Sequence, residues 1–341
     1  MRTRVCITID MEFSIGGAFN DPSCTPVAEP AVWCNSHGRS EGLGYMLDTF
    51  RKYHVPATFF VETVQRTYFR HDPMRDIVHR VYGDGHEVQL HSHPCWTLFR
   101  HSDWRSRLPI PEGSDNFHGR AVEDSMSLIQ QGIDTFSDWG MPRPKAFRSG
   151  NLQHDDNLYR ALAQKDIPYA SNVGVAIFDS GDPNYALYSG RHERHGVQEY
   201  PVLTFSDWNM GGRQHLKSLT IAGTSFQETV SLLEDAHAMQ IPLVVVLTHP
   251  FEFVHRRDVA FTQLGRHHLT QRRLLQLCQF LDRHSDRFEA SGFAAAATAC
   301  EHAPSRNTLL KTNLGQSLLR MASQVTHDKL GNLMTLRSSA T

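Results

Sequence analysis

The 341-residue chain predicts an α/β fold built on a mostly parallel sheet. Three observations carry that expectation. Strand-like and helix-like runs alternate along most of the chain, as in consecutive β–α units. After Pro242, Leu243-Val244-Val245-Val246-Leu247 is an unbroken apolar run, typical of a parallel strand buried on both faces. The polar residues with chemical potential stand where strand-like runs end, and parallel sheets place their sites beyond the C-terminal ends of their strands.

The elements follow in order. Val5 to Phe13 reads as the first strand. Residues 41–53 carry apolar positions at helical spacing, and Ala57 to Val61 is a β-branched and aromatic strand. Pro73 to Tyr82 predicts a helix, with Asp72 as N-cap and Pro73 in the first turn. A strand over 87–91 precedes a helix from Val122 to Trp139, which Gly140-Met141-Pro142 stops. Ala146 to Arg148 is a short strand and Asp155 to Lys165 a helix. Residues 171–195 are rich in Gly, Asp and Asn, and Val197 to Phe205 reads as a strand around Pro201. Phe226 to Met239 and 269–284 are helical, flanking the apolar strand; Phe288 to Ala290 and an alanine-rich helix close the pattern. Such alternation fits an open sheet or a closed barrel. Two regions fall outside it. Residues 14–40 form a long loop with Gly16-Gly17, Pro22, Pro26 and Pro30, and loops of that length are functional or disordered. The domain is expected over 1–302 and a helical tail over 303–341, with an amphipathic helix from Leu309 to Met334 and a frayed end from Arg337 to Thr341.

Composition excludes several classes. With 34 basic and 36 acidic residues, the chain has no basic field to hold nucleic acid or an anionic membrane. No apolar run approaches the roughly 20 residues of a membrane helix. Met1-Arg2-Thr3-Arg4 leads into an alternating segment unlike a secretory core, so a cytoplasmic location is expected. The six cysteines lack framework spacing; thiols are the simplest reading, and a Cys24–Cys34 disulfide is the alternative. No pattern in the sequence sets an oligomeric state.

The segment from Glu87 to Trp96 is the most informative. His91, His93 and Cys95 are two apart, and in an extended strand such side chains share a face. Imidazole and thiolate suit a borderline metal such as zinc. Asp10 and Glu12 end the first strand on one face, Arg148 ends the fourth, and His249 follows the apolar run. The plain alternatives are a polar strand end in a chain with 21 histidines, a solvated turn at Asp10 and Glu12, a structural ion pair at Arg148 and a strand cap at His249. Trp96, Phe99, Phe251 and Phe253 read as core or rim packing, with an aromatic wall for a ligand as the sharper option.

Four segments together resemble the polysaccharide deacetylase family of carbohydrate esterases: Thr8-Ile9-Asp10-Met11-Glu12, His91-Ser92-His93-Pro94-Cys95, Phe147-Arg148-Ser149-Gly150-Asn151 and Leu247-Thr248-His249-Pro250. The resemblance spans about residues 4–300 and implies a distorted, incomplete (β/α) barrel. It further implies a divalent metal, with zinc fitting the donors, held by one acid and two histidines. Here the metal donors would come from Asp10, Glu12, His91, His93 and Cys95. Asp10 or Glu12 would be the general base, Arg148 would orient a carboxylate, and His249 would be the general acid. Three departures stand out. Asp10-Met11-Glu12 replaces an adjacent acid pair, as in family branches with Asp-x-Glu. Cys95 stands in the second histidine's place, so either it ligates or His93 has taken over, and the histidine matches the family's metal set better. Gly150 stands where the family has a proline after its arginine. The family's Asp-x-x-Trp segment has only Asp207-Trp208 as a loose counterpart.

The expected activity is metal-dependent removal of acetyl from an N-acetylated sugar or a precursor-linked glycan unit. The alternatives are hydrolysis of another small amide or ureide, and a non-catalytic carbohydrate-binding relative.

Overall fold

The computed structural model describes residues 2–321, apart from 112, 211–212, 314, 316 and 318. Its main sheet has nine strands: β1 (Thr3–Met11), β2 (Thr58–Glu62), β3 (Glu87–Ser92), β4 (Ala146–Ser149), β5 (Tyr169–Ala170), β6 (His192–Arg194), β7 (Val197–Glu199), β8 (Leu243–Thr248) and β9 (Phe288–Ala290). They run in the order β8-β1-β2-β3-β4-β5-β7-β6, with β9 also on β1. All pairings are parallel except the β6–β7 hairpin. β9 takes the first part of β1's edge, at Thr3 to Val5, and β2 takes the second, at Thr8 to Met11. Helices α1 (Leu43–Lys52), α2 (Pro73–Gly83), α3 (Val122–Asp138), α4 (Asp156–Gln164), α5 (Phe226–Ala238), α6 (His268–Arg283) and α7 (Phe293–Ala299) connect and cover the strands.

The sheet curls into an incomplete barrel. Its seam is covered by irregular segments and not by paired strands: Val202 and Thr220 each make a single parallel bridge to β8, at Val245 and Leu247. The alternation of β1 sorts the two faces. Val5, Ile7, Ile9 and Met11 are fully buried in the large core with the α1 residues Leu43, Met46 and Phe50. Cys6 points the other way, into a second core with Phe60, Tyr200, Val245, Leu247 and Phe293. That interior core and α7 fill one end of the barrel, where the Phe293 backbone N–H donates to Thr58 Oγ1 (2.7 Å) and Ala294 N–H to Glu87 (2.9 Å). The opposite end, at the C-termini of the strands, is left for polar groups.

Several expectations need correction. Val197 to Phe205 is not one strand: it breaks at Pro201, and Thr204–Met210 pairs instead with Arg213–Ser218 in a separate sheet. Proline lacks the N–H that a continuous ladder needs. Asp72 precedes α2 but sits in the left-handed region (φ 52°) and makes no cap. Its carboxylate accepts from Trp139 Nε1 (2.7 Å) and pairs with Arg66 (3.0 Å). The 14–40 loop is ordered, with a short helix Glu29–Trp33 and a hairpin of Asn35–Ser36 with Arg39–Ser40. The expected thiols hold: all six cysteines are free, and the alternative Cys24–Cys34 bond is not formed. Leu310–Lys311 adds in parallel to Thr204–Met210, whereas most of the helix expected over 309–334 and all of 337–341 lie outside the described residues. Among the described residues, no helix is long and apolar enough to cross a membrane.

Candidate metal centre

Register brings the site together. Glu62 lies opposite His91, and His91 opposite Arg148, across adjacent strands; Ile9 lies opposite Thr248, one residue before His249. Within the rim, Glu12, His91 and His93 form a group whose ligating atoms all fall within 4.8 Å of one another. Glu12 Oε2 is 2.8 Å from His93 Nε2 and 3.4 Å from His91 Nε2.

The outer ring nitrogens define the inner ones. His91 Nδ1 donates to the Arg148 carbonyl (2.8 Å), which in a neutral ring leaves the lone pair on Nε2. That Nε2 is buried and, among the described residues, has no hydrogen-bond partner. His93 Nδ1 donates to Asp115 Oδ2 (2.8 Å) and likewise aims Nε2 at Glu12. Lone pairs turned toward a carboxylate repel it unless a proton or a cation lies between. A carboxylate and two imidazole nitrogens so arranged fit a divalent ion with coordination positions to spare, and a carboxylate or carbonyl on each imidazole is the usual outer support for such ligands. Burial alone would raise the Glu12 carboxyl, but with a proton instead of an ion between the groups, His93 and His91 hold it well below its ordinary range.

Asp10 is placed differently from its strand neighbour Glu12. Its Oδ1 accepts from Arg148 Nη1 (2.7 Å), and its Oδ2 stands 3.8 Å from His249 Nε2. Arg148 is fully buried, lies over the Phe60 ring (4.3 Å) and also donates to Thr8 Oγ1, the Ser171 carbonyl and Ser171 Oγ. His249 Nδ1 meets Glu252 Oε1 at 3.0 Å, and Glu252 Oε2 accepts from Thr248 Oγ1 (2.7 Å) and the His249 N–H (3.2 Å). Burial would lower the His249 imidazole, yet Glu252 first, then Asp10 and Glu12, raise it to about 9.

Cys95 is buried and belongs to a different grouping, with His93 and Asp115. Its backbone N–H donates to Asp115 Oδ1 (3.0 Å). Burial pushes its thiol well above the ordinary value, against the thiolate that a metal requires. Gly150 explains the missing proline: a Cβ there would collide with the His93 imidazole. The glycine at 150 and the imidazole at 93 therefore fit one another. Asp207, the loose counterpart of the family's Asp-x-x-Trp, is instead tied to Arg320 and His215 beside the small sheet.

Three residues of the site carry no motif. Glu62 ends β2 under the histidines and accepts from the His93 and Val64 N–H groups; burial outweighs the histidines' charge and pushes its carboxyl up to about 7. The strand-end rule that singled out Asp10 and His91 applies to it equally. Glu252 is three residues beyond His249, within reach across one turn. Asp115 sits in a Gly-Ser-Asp-Asn loop that reads only as a turn, and Asn151 Nδ2 pins it from the other side (2.9 Å).

Comparison with known proteins agrees on the fold. Residues 36–170 match the polysaccharide deacetylase family, a span that holds the His91–Cys95 and Arg148 segments. A Mycobacterium smegmatis protein assigned to the polysaccharide deacetylases is similar in structure, with TM-score 0.51 and 14% identity over 92% of this chain and 96% of that one. A 4-alpha-glucanotransferase from Thermococcus litoralis gives TM-score 0.52 at 9% identity, over 92% of this chain and 42% of that one. A family 4 acetyl xylan esterase from Clostridium thermocellum, in complex with a cobalt ion, gives TM-score 0.42 at 16% identity over 90% and 98%. No curated protein sequence matches significantly. The barrel is thus of the polysaccharide deacetylase type.

Proposed function

We propose that this protein is a metal-dependent hydrolase that removes an acetyl group from an N-acetylated sugar or glycan precursor. One observation carries the reading: two acids two residues apart on β1 have separate partners, Glu12 at the His91–His93 pair and Asp10 between Arg148 and His249. The family match over 36–170 supports a carbohydrate amide or ester as the substrate.

In this reading Glu12, His91 and His93 hold one divalent ion, and zinc suits the donors. A bound ion supplies Lewis acidity, which an amide needs because its carbonyl is a poor electrophile and water a poor nucleophile near neutral pH. The chain's own groups do the rest. Arg148 fixes Asp10 by one oxygen, so the other is free to take a proton from the attacking water. His249 faces that oxygen and, held protonated by Glu252, gives its proton to the departing amine. Phe251 stacks on the His249 ring (4.9 Å, 25°) and limits its rotation.

The test is acetate release from a panel of N-acetylhexosamines by zinc-loaded protein. Release that chelation abolishes and zinc restores is the expected result. A fully loaded protein that liberates no acetate from any acetylated sugar overturns the reading.

A further inference from the structure

Beside the metal cluster lies a pocket of about 490 Å³, within the roughly 300–1,000 Å³ of small-ligand sites. Glu12, His93, Phe19, Trp96, Phe251 and Phe261 line it, together with one cation, Arg256. Arg256 ends the strand Val254–Arg256, which pairs with Leu264–Arg266 in a hairpin beyond His249.

The surroundings of Arg256 set it apart. Its guanidinium rests 4.7 Å above the ring of Phe261, itself buried, which holds the planar group in place while its edge stays exposed. Among the described residues, no carboxylate lies within ion-pair distance of it. Arg266, across the same hairpin, donates from Nε and Nη2 to the two oxygens of Glu41 (2.9 and 2.8 Å). Asp258, two residues on from Arg256, turns its oxygens to Thr262 and Gln263. The pocket's own acids, Glu12 and Asp115, are both engaged by His93 (2.8 Å each). An arginine fork presented in this way matches a carboxylate or phosphate, whose two oxygens can take parallel N–H donors.

We infer that the substrate carries an anionic group, a carboxylate or a phosphate on the acetylated sugar, which Arg256 binds while the aromatic wall packs the sugar. The inference rests on the deacetylase reading for the identity of the sugar, but the anion recognition is measurable without turnover. The experiment is calorimetric binding of glucosamine, glucosamine 1-phosphate and glucosaminuronic acid to the zinc-loaded protein, with kcat/KM for the corresponding N-acetyl compounds. At least one anionic compound should bind about 10- to 100-fold more tightly than the neutral one, the scale of a charge-assisted pair. Which one does so separates phosphate from carboxylate. Arg256→Gln should reduce that ratio to about threefold or less, and Arg256→Lys should retain part of it, because charge survives and the fork does not. The wild-type ratio should also shrink as salt is raised, a reading independent of any variant. Equal binding of all three by the wild type, or an anionic advantage unchanged in Arg256→Gln, overturns the inference. Anion-selective binding with no hydrolysis of any N-acetyl compound leaves it standing and removes the deacetylase reading instead.

Discussion

Arg148 and Asp10 meet inside the barrel, Nη1 to Oδ1 at 2.7 Å, although their strands are separated by β2 and β3. Phe60 lies beneath the guanidinium and both residues are buried, so the pair is largely shielded from bulk water. In the proposed reaction this arrangement makes Arg148 a positioning residue for Asp10.

Arg148→Met should therefore cost stability and turnover together. Removing one partner leaves a buried carboxylate uncompensated, about 3–5 kcal/mol in comparable cases. Denaturant unfolding should show that loss, while metal content stays at the wild-type level because neither residue is placed as a ligand. A stable variant with normal turnover would reduce the pair to decoration.

Gly150 is expected to matter through His93. Gly150→Ala places a methyl where the imidazole sits, so zinc affinity should fall without loss of any ligand. Asp115→Asn should act through the Nδ1 hydrogen bond of the same ring, lowering affinity about 10- to 100-fold, as loss of an outer partner does. Competition against a chromogenic chelator measures both.

Cys95→Ser should leave zinc content near wild type, and His93→Ala should abolish most of it. The contrast follows from the groupings: His93 Nε2 faces Glu12, whereas Cys95 lies with Asp115 on the far side of the ring. Loss of metal in Cys95→Ser with retention in His93→Ala would reverse the assignment.

The pH profile should report His249. Its imidazole is raised to about 9, so on the proposed mechanism the acid for the leaving amine is present at neutral pH and is lost as pH rises through that value. The alkaline limb of kcat/KM should fall there. Glu252→Gln removes the leading cause of the rise and should move the limb to lower pH. His249→Ala should depress turnover by about 10²–10⁴ and leave metal content unchanged. A limb unmoved in Glu252→Gln would assign it to another group.

Much of this was legible because a parallel sheet has simple rules. The period of two separates Asp10 from Met11, and strand ends gather Asp10, Glu12, His91 and His249 on one rim. What escaped depends on contacts that cross the fold. Glu62, 31 residues from His93, stands at a strand end where the same rule could have found it, whereas Asp115 reaches His93 through a hydrogen bond across 22 residues. The different partners of Asp10 and Glu12 were invisible for the same reason, since a shared strand face says nothing about which residues lie opposite. Pro201 breaks a run that otherwise reads as a strand, because the chain leaves one sheet there for another. Arg256 lacked any motif, and its stacking on Phe261 depends on a hairpin that no periodicity announced.

The most direct test of the central claim is a zinc-loaded crystal structure with anomalous data collected at the zinc edge. A single site is predicted, about 2.0–2.2 Å from a Glu12 oxygen, His91 Nε2 and His93 Nε2, with Asp10 still on Arg148. Zinc bound instead among His93, Cys95 and Asp115, or a rim that stays empty at saturating zinc, would contradict it.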